Sequence, residues 1–379
     1  MRSSAGEYFM GLDHVRAVAV FLVFCWHFLH AGDIVPIDGS MTALPLMALF
    51  TQGFTGVSLF MVLSGYLFAK LSDGHDLRLR GFWFNRALRL LPLLSVVLVL
   101  AFLKSLYTGE SLYMAERLAW GWLLPTLPQG AWSVTVEAHF YLLFPWVLWL
   151  TRRTPTALLG VVALALGLRG LLYWQEVKLG YVAYATLVGR IDQFLLGCLA
   201  WHWRHLMTGR HLIWAVSAAA FVALMCHLDR TGSLLIPRDN FSPWWIGLTT
   251  LEGLFHAITV AWYDTSFKPG RGWLSRGVAR VGQYSYAIYL LHTFVVFKLA
   301  VWIHTHVLVL SNVYLAVAAA ALSFLLFLPV AALSFRLIEA PFLRLRVPYL
   351  TSRETHFDSP APFAVERLAP RRAARGQSR

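Results

Sequence analysis

Leu12-Asp13-His14-Val15-Arg16-Ala17-Val18-Ala19-Val20-Phe21-Leu22-Val23-Phe24-Cys25-Trp26-His27-Phe28-Leu29-His30 is the stretch that decides how the rest of the chain is read. From Val15 to Leu29, with a little of each flank, it is long enough to cross a bilayer, which takes about 20 mostly apolar residues. It nevertheless carries an arginine at its start and a histidine near its far end. Eleven positions separate Arg16 from His27, close to three turns of helix, so their side chains share nearly one face at roughly 16 Å along the axis. Ionisable groups inside a membrane span are costly and are functional candidates by default. The remaining chain reads as a container around this helix, with both groups opening into one polar passage.

Composition sets the class. The 379 residues are 58% hydrophobic and 13% charged, against about 25% charged in soluble domains, so the expected fold is all-α and polytopic in a membrane. Ten spans are expected, at about 14–31, 55–71, 88–106, 132–150, 156–174, 184–203, 211–228, 243–263, 283–303 and 311–335. The proline-bearing stretch between Ser111 and Pro128 suits a re-entrant or interfacial segment. Cys25, Cys198 and Cys226 all fall in predicted spans and form no disulfide framework. The first span lacks a small-residue cleavage site and reads as part of the mature protein.

A net charge of +13 invites a nucleic-acid reading, but the distribution argues against one. Arg78, Arg80, Arg86, Arg89, Arg152, Arg153, Arg204, Arg210, Lys268, Arg271, Arg276 and Arg280 collect in alternate loops, while the opposite loops hold only Arg117, Lys178, Arg230 and Arg238. The richer side is cytoplasmic by the positive-inside rule, which puts both termini inside the plasma membrane of a bacterial-type cell. Residues 1–350 form the membrane domain, and 351–379 read as a disordered basic tail near anionic headgroups.

Several spans carry groups able to do chemistry. Arg16 can fork onto phosphate or carboxylate or simply snorkel. His27 can exchange a proton near neutral pH or serve as a packing residue. In Gly56-Val57-Ser58…Leu63-Ser64-Gly65-Tyr66 the glycines allow close helix approach, and Ser64 can orient a substrate or a histidine. Arg86 and Arg89, three apart on one face, suit a phosphate-bearing ligand. Ser133, Glu137 and Tyr141 recur every four residues as a polar stripe, and Glu137 lies at the depth of His27, where it can hold the imidazole tautomer. Arg190 and Asp192 are close enough to neutralise each other. Glu252 and His256, His292, and Glu339 continue the polar series. No zinc-protease spacing or Walker loop occurs, so neither a metal nor a nucleoside triphosphate is expected.

In this order the segments resemble the type-3 family of membrane acyltransferases. The likeness runs over residues 8–346 and rests on Leu12-Asp13…Arg16-Ala17 with His27, Gly56-Val57…Leu63-Ser64-Gly65-Tyr66, and Arg86…Arg89…Pro92. It continues in Trp132-Ser133…Val136-Glu137…Phe140-Tyr141, Arg190…Phe194…Gly197, Ser285-Tyr286…Tyr289-Leu290-Leu291-His292 and Ile338-Glu339…Pro341. The family pattern is departed from at Met61, Asn85 and Ala138. The resemblance implies about ten spans, acyl (usually acetyl) transfer from acetyl-coenzyme A to hydroxyls of glycans, lipid-linked saccharides or small acceptors, and essential roles for Arg16 and His27. It also implies that Arg86 and Arg89 serve donor binding on the cytoplasmic side. Some relatives add a periplasmic hydrolase-like domain, so this chain is expected to work alone, as a homo-oligomer or with a periplasmic partner.

The sequence therefore points to an O-acyltransferase. Its catalytic candidates are His27, Arg16, Glu137 and Ser64, with Arg16, Arg86 and Arg89 on the acyl-coenzyme A donor. Tyr141, Ser133, Arg190, Asp192 and His292 are its acceptor-side candidates. The competing reading is a transporter of an acylated saccharide or small anion, which an interior lined by ionisable groups also fits. A purely structural scaffold would leave Arg16, His27 and Glu137 unexplained.

Overall fold

The computed structural model describes residues 8–32, 44–231, 242–310 and 312–352. The expected tail lies almost wholly outside the described residues. Backbone polar groups have no water to turn to inside a bilayer, so long apolar runs close their hydrogen bonds as helices. Among the described residues, eight helical spans are long and apolar enough to cross a membrane. They are Met10–Leu29, Thr55–Ser72, Leu79–Thr108, Trp132–Arg153, Ala157–Trp174, Leu179–His202, His211–Arg230 and Val313–Leu343. Ser285–Phe294 and Val296–His306 make a ninth if the pair, bent by 58°, is one span. The remaining expected span, the eighth at 243–263, is met by Trp244–Ser266, which has 23 residues but carries Glu252, His256 and Asp264.

Two boundaries differ from expectation in ways that matter for the site. The third span begins at Leu79, nine residues before the apolar run, which takes Arg86 and Arg89 inside a 30-residue helix. The last passes through a π-helical turn, Phe335–Glu339, and that turn is where Glu339 is buried. Between Ser111 and Trp120 lies a ten-residue helix, too short to cross a bilayer.

Met10–Leu29 and Thr55–Ser72 are central, with 61% and 78% of their apolar windows buried, whereas Ala157–Trp174 and His211–Arg230, at 22% and 17%, are peripheral. Lipid tails give no hydrophobic drive between helices, so the central ones must approach closely. Gly65 and Gly197 let Thr55–Ser72 meet Leu187–His202: a Cβ on Gly65 would collide with the Phe194 carbonyl, and one on Gly197 with the Val62 carbonyl. Gly282 likewise seats the helix Trp273–Gln283 against the Asp13 backbone. Beyond the last helix the chain turns back beneath the bundle, where Leu350–Ser352 pairs antiparallel with His75–Leu77.

Candidate active site

A cavity of about 210 Å³ opens between the central helices. One end is built from Asp13 and Arg16 of the first helix, Arg86 and Arg89 of the third, and Arg346 and Tyr349 of the C-terminal return. Ser64, Glu137 and Tyr141 also line it, and it extends to Ser133 and Tyr289. Arg16, Arg86, Arg89, Ser64, Glu137, Tyr141 and Ser133 are thus gathered on one cavity although they come from four separate stretches of the sequence.

The charges in it are not balanced. Arg16 donates to Asp13 at 2.6 Å and Arg89 to Glu339 at 2.6 Å. Among the described residues Arg86 and Arg346 pair with no carboxylate. The guanidinium of Arg86 rests over the rings of Phe68, Phe82 and Tyr141, a cation–π arrangement. The Nε atoms of Arg86 and Arg346 and the hydroxyl of Tyr349 are buried with no hydrogen-bond partner. Burial, together with the neighbouring Arg86 and Arg89, pushes Arg346 down to about 9, while burial and then Asp13 push the Tyr8 phenol up. Unpaired buried donors and crowded positive charge are what an anion would relieve.

Glu137 accepts hydrogen bonds from Ser64 at 3.2 Å and from Tyr141. The expected pairing of Glu137 with His27 is not found. His27 faces His292 instead, with His292 Nε2 3.2 Å from His27 Nδ1. The carbonyl contacts fix the tautomers. His292 Nδ1 lies 3.0 and 2.7 Å from the Ile288 and Tyr289 carbonyls, and His27 Nδ1 lies 2.8 Å from the Val23 carbonyl. A carbonyl can only accept, so each Nδ1 carries a proton. His292 Nε2 then shares the one His27 Nδ1–H with the Val23 carbonyl as a longer, second acceptor, and His27 Nε2 keeps a free lone pair. Each imidazole thus turns back onto the preceding turn of its own helix, His292 at the start of the short helical turn His292–Phe294.

The single passage joining Arg16 and His27 also needs correction. Arg16 lines the cavity and the histidine pair does not. The two regions meet at Tyr289, which lines the cavity and whose ring centre is 6.1 Å from that of His292. Tyr289 shares a hydrogen bond with Ser133, 2.7 Å between hydroxyls, and its ring is 6.2 Å from that of Phe60.

Arg190 and Asp192 do not neutralise each other. Two residues apart on a helix, they point to different neighbours. Asp192 pairs with Arg169 at 2.7 Å and Arg190 with Glu252 at 3.7 Å, all four fully buried or nearly so. Ser58 bridges the second pair, accepting from Arg190 at 2.8 Å and donating to Glu252 at 2.7 Å. Sequence reasoning missed Arg169, Arg346 and Tyr349. Arg169 had a visible signal, a lone charge in the apolar run Leu166-Gly167-Leu168-Arg169-Gly170-Leu171. Arg346 and Tyr349 had none, since only the return of the chain brings them to the cavity.

The architecture is that of a polytopic helical membrane protein with an arginine-rich internal cavity. The chain belongs to the acyltransferase family described as "Acyltransferase domain", whose pattern it matches over residues 10–333. It is 25% identical over 388 residues to "Peptidoglycan O-acetyltransferase OatA" of Listeria monocytogenes, covering 88% of this chain and 56% of that protein. A Staphylococcus aureus (strain MRSA252) protein named as an O-acetyltransferase is 24% identical over 397 residues, covering 92% and 60%. The chain therefore spans less than two thirds of the length of these relatives. No solved structure matches it.

Proposed function

We propose that this protein is a membrane O-acetyltransferase that takes an acetyl group from acetyl-coenzyme A and places it on a hydroxyl of a cell-envelope glycan, in the manner that the name of the Listeria relative describes for peptidoglycan. It lies in the inner membrane with ten spans and both termini in the cytoplasm. The observation that carries this reading is the arginine-lined cavity: guanidinium groups without carboxylate partners stand at one end, and the other end stops one helical turn from the histidine pair.

In this reading the donor's phosphates rest on Arg16, Arg86 and Arg89, and its thioester arm runs along the cavity past Ser64 and Glu137 toward Ser133 and Tyr289. The acceptor hydroxyl approaches the free Nε2 of His27, which removes its proton as a general base. The oxygen attacks the thioester carbonyl, the C–S bond breaks, and the coenzyme thiolate leaves and takes up a proton. His292 holds the His27 tautomer throughout. Arg190 and Asp192 brace the helices rather than touch the acceptor. A second reading places the base at Glu137, which, unlike His27, lines the cavity and is fixed by two hydroxyls.

The test is to incubate the purified protein with labelled acetyl-coenzyme A and muropeptide fragments, following free thiol and acetylated glycan together. The enzyme reading expects both to rise in equal amounts. A transporter would release no thiol and label no product. Comparing His27→Gln with Glu137→Gln decides between the two bases, because only the true base should eliminate turnover.

A further inference from the structure

The last helix ends at Leu343, and the nine residues after it run as a strap beneath the cavity. The strap is held at several points. The Asn85 side chain donates to the Val347 carbonyl at 2.7 Å and accepts from the Val347 N–H at 3.0 Å, closing a two-bond amide clamp. The Arg78 N–H donates to the Tyr349 carbonyl at 2.8 Å, and Leu77 pairs with Leu350. Gly81 makes room for the strap, since a Cβ there would stand 2.9 Å from Cβ of Tyr349. Such anchoring is more than a segment that merely leads away from the last helix needs, because each ordered residue costs roughly 1–2 kcal/mol of backbone entropy.

The anchored strap delivers two polar side chains to the cavity and leaves a buried polar atom of each without a partner. Arg346 Nε and the Tyr349 hydroxyl are buried without a partner, as is Arg86 Nε. A buried donor left unpaired is destabilising unless a ligand or water completes it. Three such atoms on one cavity, two of them on guanidinium groups that no carboxylate among the described residues neutralises, describe the outline of an anion with several acceptor oxygens. A phosphate ester or pyrophosphate has that shape and charge.

We propose that the strap is part of the donor site, with Arg346 and Tyr349 binding a phosphate of the acyl donor beside Arg86, and Asn85 acting as the positioning residue that holds Arg346 there. This rests on the donor reading given above and extends it to a segment beyond the last helix. It also accounts for Asn85 beside Arg86: an amide both donates and accepts, so it can clamp a backbone, which an arginine at that position cannot do.

Coenzyme A is titrated into the full-length protein in nanodiscs of zwitterionic lipid, and the strap's amide hydrogen exchange is recorded with and without the coenzyme. Loss of one charge-assisted contact predicts about tenfold to hundredfold weaker binding in Arg346→Ala, a smaller loss in Arg346→Lys, and a loss in Asn85→Ala without removal of any charge. In the wild type, the coenzyme should slow exchange at residues 344–352, a readout needing no variant. Wild-type binding that Arg346→Ala leaves untouched, with strap exchange unchanged by ligand, overturns the strap's role alone. A wild-type protein that binds no coenzyme A removes the donor reading as well. In nanodiscs containing anionic phospholipid, unchanged coenzyme affinity supports the proposal. Arg346-dependent competition by lipid, with no coenzyme effect on the strap, assigns the phosphate to a headgroup and overturns it.

Discussion

Arg169 and Arg190 belong to the same helical bundle whose cavity Arg86 and Arg346 line, yet the two pairs are treated very differently. The first two are fully buried and matched charge for charge by Asp192 and Glu252, across the helices Ala157–Trp174, Leu187–His202 and Trp244–Ser266. The second two line a cavity, stack on or lie near aromatic rings, and have no carboxylate partner among the described residues. Burying a charge requires a partner; a site that withholds the internal partner keeps the position for an external one. Polar residues in a membrane bundle are thus poor markers of function by themselves, and charge imbalance around a cavity is a better one.

The comparison can be broken by experiment. The largest effect belongs to the histidine pair, where His27→Ala should lower turnover by about 10²–10⁴-fold, the usual weight of a general base, while the variant still inserts and unfolds at the wild-type temperature. Next come the matched charges. Removing one partner, as in Arg169→Met, should cost roughly 3–5 kcal/mol by leaving Asp192 buried and uncompensated, and Arg169→Met combined with Asp192→Leu should recover most of it. Thermal unfolding in detergent reads both. A single variant as stable as wild type would show that this network is not the brace assigned to it.

The cavity arginines should behave in the opposite way. Arg86→Ala should raise KM for acetyl-coenzyme A by about tenfold or more, the loss of a charge-assisted contact, at unchanged protein yield; steady-state kinetics at varied donor concentration measures it. Ser64→Ala should have the smallest effect, a few-fold in turnover, because Tyr141 still holds Glu137 when that single hydrogen bond, worth about 1 kcal/mol, is lost. A larger drop at Ser64 than at Arg86 would reverse the ranking on which the two regions are distinguished.

Much of this was legible before any coordinates. Apolar runs place the helices, and Arg16, Arg86, Arg89, Ser64, Glu137 and Tyr141 fall on the cavity because each is polar on a helix that must bury one face. Partnerships were not legible. Glu137 and His27 were matched by depth, but depth fixes only the position along the membrane normal, not the rotation of each helix. Tyr141 and Ser64 are the neighbours that rotation brings to Glu137, and the packing of Ser285–Leu291 against the first helix brings His292 to His27. Arg190 and Asp192 are adjacent in sequence, but residues i and i+2 of a helix diverge, and each finds its partner on another helix. Arg346 lies beyond the last apolar run, where no periodic pattern announces that the chain returns to the cavity.

The most direct trial of the central claim is a single-turnover measurement of thiol release from labelled acetyl-coenzyme A with glycan acceptor, comparing wild type with His27→Ala at saturating donor. The account predicts prompt thiol release and acetylated glycan from the wild type. It predicts bound but intact donor in the variant. Equal release from both proteins, or none from either, would contradict it.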